Sequence, residues 1–470
     1  MKVLAFLFLS LLPIRLPQVS GELAEADRLV DQLYLRQAAG PCLRLLPGLS
    51  EERRELFLFN FGPFSRIERR FFLRECSCLP GCGNYPPDLD LQELKEAMKE
   101  DETGQLSIEV NSPLTVVVRE GEGFRAIPFH QYYRKGLEGL SAALMRIKTP
   151  DPSLNAYLEK RARELLTDSF EEGDSLWLQI KGNRKIYFGP LEVEDPYLKV
   201  KMAYGGVVFG LLPWKFSRCL PEFLPFLQKR LPSPWKDATP YPYPGIRLAR
   251  LIQAYGKLKV PPAPSFAVLP PFLPSKARKY LFVNVLEKKF EKGIAVAGGM
   301  IYGWKGTLKA YLYYLALHDM AHFLNFSGRE PEGALGEVLA DSTAIKFLPQ
   351  IKEKEGWEEE VPLKIIHSYL ASLLYYSAKG KKPALIQVNY FLSHGGIKIR
   401  RDGKIEVGSS FPAVVSSMWR AALDALQERM EFPQKSFLPG ELEGPLKPLM
   451  EVDFYLEFNK IKEISKGGKR

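Results

Sequence analysis

The sequence predicts an α+β protein, predominantly helical, organised in two lobes. Three observations predict it. The chain has 470 residues, and a single hydrophobic core stops growing beyond roughly 250–300. Apolar residues recur at helical spacing over Leu137–Ile147, Leu154–Phe170, Leu363–Ser377 and Pro412–Arg429. Shorter β-branched, alternating segments, Lys279–Leu286 and Gly293–Met300, read as strands or extended chain. Hydrophobic content of 46% and charged content of 26% are those of a soluble globular protein.

The elements follow in order. Lys2, the apolar stretch Val3–Pro13 and the small pair Ser20-Gly21 have the layout of a secretory signal over residues 1–21. That apolar run is too short for an ordinary span, and no later segment reaches about 18 uninterrupted apolar residues. The mature chain is therefore expected to be soluble and extracytoplasmic, periplasmic or secreted, with no membrane span. Residues 22–84 form an N-terminal extension of helix and loop that ends in a cysteine cluster. Cys42, Cys76, Cys78, Cys82 and Cys219 are the five cysteines. Their spacing matches no common zinc pattern, whereas export permits disulfides, with Cys42 a candidate partner for the cluster. The odd count leaves at least one thiol over, and the connectivity stays open.

Tyr85-Pro86-Pro87-Asp88 marks a turn and a domain boundary. Residues 89–180 are largely helical in pattern. Leu231–Pro244 and Val260–Pro274 are proline-rich and read as loops or hinges. A buried helix is expected from about Lys309 to Phe326, apolar and aromatic along most of its length and stopped by Gly328 and Pro331. A second runs from about Gly333 to Phe347. The acidic run Glu353–Glu360 is a helix end or loop. Ile397–Val407 forms a hairpin around Asp402-Gly403. The end of the chain, 441–470, is a basic tail.

The formal net charge is +10, from 65 basic and 55 acidic residues. The basic residues are scattered, and neither a basic stripe nor a reader motif is present. The sequence therefore argues against a nucleic-acid partner.

The chemistry lies in the two helices. His318-Asp319-Met320-Ala321-His322 precedes Glu337-Val338-Leu339-Ala340-Asp341. Residues four apart share a helix face. Two imidazoles and a carboxylate, His318, His322 and Glu337, close three sides of a tetrahedral zinc site and leave the fourth to water. Zinc lowers the pKa of bound water to about 7. Asp341, one turn past Glu337, is placed to accept the outer N–H of a ligand histidine and fix its tautomer. Asp319 is the candidate general base. A bare His-x-x-x-His is weak by itself. The burial of its helix and the second Glu-x-x-x-Asp pair strengthen it. His130, His367 and His394 have no partner at metal spacing, and packing roles suit them better. Tyr313 and Tyr314 are packing residues beside the zinc helix, with an electrophilic role as the alternative.

With these residues in hand, the chain resembles the dipeptidyl-peptidase III family of zinc peptidases, especially its bacterial branch. The likeness covers roughly residues 85–430 and assigns 85–440 to a two-lobed metallopeptidase region. It includes Tyr85-Pro86-Pro87-Asp88, Ser112-Pro113-Leu114-Thr115-Val116, Tyr157-Leu158-Glu159-Lys160-Arg161-Ala162 and Leu165-Leu166-Thr167-Asp168. Gly189-Pro190-Leu191-Glu192-Val193, the zinc segments, and Gln387-Val388-Asn389-Tyr390-Phe391 leading into Gly395-Gly396 continue it. The resemblance implies two lobes with a cleft, a helical zinc-bearing lobe plus a smaller strand-containing lobe. It also implies removal of dipeptides from the N-termini of short peptides. His318, His322 and Glu337 match the family's zinc ligands, and Asp319 stands where it has a catalytic glutamate.

The departures are specific. Asp319 is one methylene short, and a misplacement near 1 Å costs on the order of 100-fold. Gly336 replaces a second glutamate beside the ligand. Val268-Leu269-Pro270-Pro271 lacks two substrate-holding asparagines. No histidine stands near Gly380, and the tyrosine that the resemblance leads one to expect at Val193 is absent. The expected function is thus a zinc-dependent hydrolase of short peptides. The alternative is a catalytically impaired zinc- or peptide-binding relative.

Overall fold

The computed structural model describes residues 20–430 except 67–69, 244, 261–263, 328–330 and 332, together with the isolated positions 432, 440, 442 and 446. The signal segment, but for Ser20 and Gly21, lies outside the described residues. So do Gly328 and the basic tail, but for Leu442 and Leu446. The chain forms two compact units, as its length requires. The first comprises residues 1–211, 251–264 and 270–274; the second comprises 212–250, 265–269 and 275–470.

In the first unit, helix α1 (Ser20–Ala39) buries Leu23, Ala26, Val30 and Leu33 on one face, the three-and-four spacing of an amphipathic helix. It packs against α2 (Arg134–Arg146). Disulfides Cys42–Cys76 and Cys78–Cys82 tie down the chain after α1, and Cys219 is free. Inside the stretch expected to be helical, β1 (Thr115–Glu120) and β2 (Gly123–Pro128) form a hairpin. The run Thr115-Val116-Val117-Val118 explains it, since β-branched side chains favour the pleated strand. Beyond α3 (Pro152–Glu164), β3 (Arg184–Val193) pairs antiparallel with β4 (Met202–Leu212), from Arg184 opposite Gly210 to Val193 opposite Met202. Next to β4 runs β5 (Ile246–Gly256), whose Leu251–Gly256 half belongs to this unit.

The buried motif residues of this unit build its centre. Arg161 has no exposed surface and pairs with Glu164 at 3.2 Å and with Asp174. Its guanidinium also donates to the Tyr187 hydroxyl and the Phe188 carbonyl, both at 3.1 Å. Gly189 is required beside it, because a Cβ there would lie 2.6 Å from the Arg161 Nη1.

In the second unit, the Ile246–Arg250 half of β5 runs parallel to β7 (Arg278–Phe282), with Ile246 opposite Lys279. β6 (Phe266–Leu269), inside the second proline-rich stretch, pairs antiparallel with β7. Helix α4 (Val283–Lys289) leads into a π-helical turn, Phe290–Ile294, and a short helix, Ala295–Gly298. The extended chain expected over Gly293–Met300 is therefore helical. Its alanines and glycines are small enough to let that turn lie against a later helix, which overrides the local alternation. The rest is a helical assembly: α5 (Leu308–Ala321), α6 (Gly333–Lys346), α7 (Glu360–Ala378), α8 (Lys382–Ser393) and α9 (Phe411–Glu428). The hairpin of Ile397–Ile399 with Ile405–Val407 stands between α8 and α9. Leu317, Met320, Leu339, Tyr369, Phe391 and Trp419 share one core.

Candidate metal centre

Helix α5 starts on Thr307, whose hydroxyl accepts the Ala310 N–H at 3.2 Å. Its side chains Tyr311, Leu312, Tyr314, Leu317 and Met320 are buried on several sides, so α5 is a core helix rather than an amphipathic one. It ends at Ala321, earlier than the apolar pattern suggests. His322 is still helical, with φ −64° and ψ −15°. The two imidazoles therefore stay on one face. Helix α6 lies against α5 and presents Glu337 in its second turn. Gly336 has a steric reason: a Cβ there would lie 2.5 Å from the Pro331 carbonyl oxygen. No glutamate fits at this position without moving the start of α6.

His318, His322 and Glu337 converge, with ligand atoms all within 4.8 Å of one another. The two Nε2 atoms are 3.1 Å apart. His318 Nε2 lies 3.4 Å from Glu337 Oε2, and His322 Nε2 lies 3.8 Å from Glu337 Oε1. Donors about 2 Å from a tetrahedral ion stand roughly 3.3 Å apart. The side chains of His318, His322 and Glu337 are 16%, 35% and 46% exposed, so the cluster is backed by protein on one side and open on the other. These residues fit a divalent ion with a free coordination direction.

A buried network holds the cluster. His318 Nδ1 donates to Asp341 Oδ1 at 2.6 Å, which turns Nε2 toward the other ligand atoms. Tyr314 donates to the same oxygen at 2.5 Å, and Gln387 Nε2 donates to Asp341 Oδ2 at 2.7 Å. Tyr369 in turn donates to Gln387 Oε1 at 2.5 Å. Burial pushes the Asp341 carboxyl up, but His318 and the bonds from Gln387 and Tyr314 hold it below the ordinary range. Burial pulls the His318 imidazolium down; Asp341 outweighs that and raises it. His322 is lowered to about 4 by burial and by the charge on His318. A neutral His322 is the form that binds a metal. Sequence reasoning gave Asp341 a ligand histidine as partner without saying which, and the structure makes it His318. That reasoning missed Tyr314's bond, and it missed Gln387 and Tyr369.

Asp319 is buried and does not join the ligand cluster. Its Oδ1 is ion-paired with Lys279 of β7. Lys279 also lies 4.3 Å from the centroid of the Phe266 ring. The cluster opens into a cavity of about 480 Å³, lined by Lys279 but not by Asp319. Val268–Pro271, where the resemblance would put two substrate-holding asparagines, adds nothing to the lining, whereas the preceding Ser265 and Phe266 do. Near Gly380, Lys381 and Pro383 line it.

The other histidines are satisfied elsewhere. His130 meets Asp168 through its backbone N–H and Nδ1, each at 2.9 Å. His367 accepts the Lys305 N–H at 2.9 Å and stacks on Trp304. His394 stacks on Tyr390 with centroids 4.0 Å apart. Tyr313 packs between Trp357 and Phe216.

The fold that carries this centre is that of dipeptidyl-peptidase III. The chain is similar to the structure of DPP III from Caldithrix abyssi, with a TM-score of 0.77 and 20% identity over 95% of this chain and 92% of that one. It is similar to dipeptidyl-peptidase III from Corallococcus sp. strain EGB, with a TM-score of 0.76 and 21% identity over 94% of this chain and 92% of that one. No protein-family model and no curated protein matches the sequence. Among the described residues, no helix is long and apolar enough to cross a membrane.

Proposed function

We propose that the protein is a zinc-dependent hydrolase of short peptides. The observation that carries this is the convergence of His318 Nε2, His322 Nε2 and the Glu337 carboxylate at the wall of a cavity. The dipeptidyl-peptidase III fold supports it. Zinc held by these three residues would polarise a peptide carbonyl and make water acidic enough to attack it at neutral pH. Asp341 orients His318 and keeps its proton on Nδ1. Asp319 acts as the general base. Its Oδ1 is committed to Lys279, so Oδ2 is the oxygen left to move a proton between the attacking water and the leaving amine, and it does so from behind Lys279, short of the cavity. The disulfides Cys42–Cys76 and Cys78–Cys82 suit an oxidising, extracytoplasmic setting.

One observation favours a second reading, a zinc- or peptide-binding relative without turnover. Lys279 holds Asp319, and it is Lys279 that lines the cavity. Turnover of a short-peptide library by wild type, His318→Ala and Asp319→Glu separates the two. The peptidase reading expects wild-type hydrolysis, none in His318→Ala, and a gain in Asp319→Glu as the longer side chain reaches the water. Wild type and His318→Ala being equally inert would falsify it.

A further inference from the structure

Away from the metal ligands, the same cavity has a second polar end. Lys289 closes α4, and its ammonium donates to the Tyr376 hydroxyl of α7 while lying 4.9 Å from that ring's centroid. Among the described residues, Lys289 pairs with no carboxylate. Ser372, one turn before Tyr376, lines the cavity beside it. Tyr311 of α5 adds a third hydroxyl. It is buried, with Ser372 and Tyr376 as polar neighbours, and meets neither at good hydrogen-bond geometry. One ammonium and three hydroxyls that can each turn a proton outward make a wall rich in donors. Leu315 and Leu373 contribute apolar lining to the same cavity.

The acidic side of the lining is already in use. Its carboxylates are Glu337 and Asp341. Glu337 faces the imidazoles, and Asp341 accepts bonds from His318, Tyr314 and Gln387. Neither is left to take the ammonium of a free peptide N-terminus. A cavity of about 480 Å³ is within the range that holds a small ligand.

We propose that Lys289, Tyr376 and Ser372 form an anion subsite that holds a carboxylate of the short peptide whose amide meets the metal centre. This rests on the peptide-hydrolase reading and names its substrate class. The ligand is recognised by a carboxylate, either at its C-terminus or on an acidic side chain. A charge-assisted bond to a carboxylate is worth about tenfold or more in affinity.

Three probes test it on the zinc-loaded full chain: trialanine, trialanine amide, and alanyl-glutamyl-alanine amide. Affinity is read by calorimetry, or as KM for any probe that is hydrolysed. At least one carboxylate-bearing probe should bind about tenfold more tightly than trialanine amide, and which one does so identifies the source of the carboxylate. Lys289→Met should abolish the preference, and Lys289→Arg should keep it. Equal binding of all three by wild type, absence of binding, or a preference that survives Lys289→Met overturns the proposal. A carboxylate preference in a protein that hydrolyses nothing retains the subsite and removes the hydrolase. Hydrolysis without the preference does the reverse.

Discussion

Asp341 accepts three hydrogen bonds, and each donor comes from a different turn or helix of the second unit. That arrangement fixes which nitrogen of His318 faces the ligand cluster. Gln387 is its least local member, brought in from α8. Gln387→Leu would leave Asp341 Oδ2 and the Tyr369 hydroxyl without a partner in the interior. Zinc affinity should fall about 10–100-fold, and folding should lose about 1–3 kcal/mol. Competition with a chelator and thermal unfolding measure the two effects; an unchanged affinity would show that Gln387 has no part in the centre. The pairs His318/His322 and Glu337/Asp341 were legible in the sequence because each is local, four apart on one helix. Lys279, Tyr369 and Gln387 were not. Their roles depend on contacts spanning from 18 to 46 residues of chain, and spacing carries no signal for those.

Elements differed in how plainly they could be read. α6, α7 and α9 matched their expected spans to within a few residues, because each carries a long apolar pattern, and α5 begins where expected but ends at Ala321, ahead of the expected Phe326. β3 and β4 went unread. Both are buried along most of their length, so the alternation that marks a half-exposed strand is missing. The β1–β2 hairpin left a signal in its β-branched run and the glycines around Glu122, but helical neighbours on both sides masked it. The motif residue Arg161 is explained at this scale: it joins α3 to β3 through Tyr187 and Phe188. Arg161→Met would leave Asp174 and Glu164 buried beside an apolar chain. Removing one partner of such a group costs about 3–5 kcal/mol. Chemical denaturation should show that loss in the first unit; a change below about 1 kcal/mol would mean the cluster is not what holds these elements.

Across the whole molecule, chain length alone implied two units, while composition could not say where they divide. The boundary crosses the middle of β5, a strand that the sequence does not mark. Acid should weaken the first unit through Glu194. Burial raises its carboxyl, but Arg66 and Lys257, with the bond from Tyr34, outweigh that and hold it below its ordinary 4.5. A carboxyl depressed on folding stabilises the protein fully above its unfolded pKa and loses that contribution as pH falls through the folded value. Glu194→Gln should therefore be less stable than wild type at pH 6, with the gap closing as pH drops below about 4.5. A gap that stays constant in denaturation curves across that window would refute the linkage.

The proposed chemistry needs one divalent ion at His318, His322 and Glu337. Its most direct test is the zinc content of the purified full chain, measured by mass spectrometry of the metal after dialysis. About one zinc per chain is expected in wild type, and close to none in His318→Ala and Glu337→Gln. A wild-type protein that holds no zinc when dialysed against it, or variants that hold as much as wild type, would mean that His318, His322 and Glu337 are not a zinc centre.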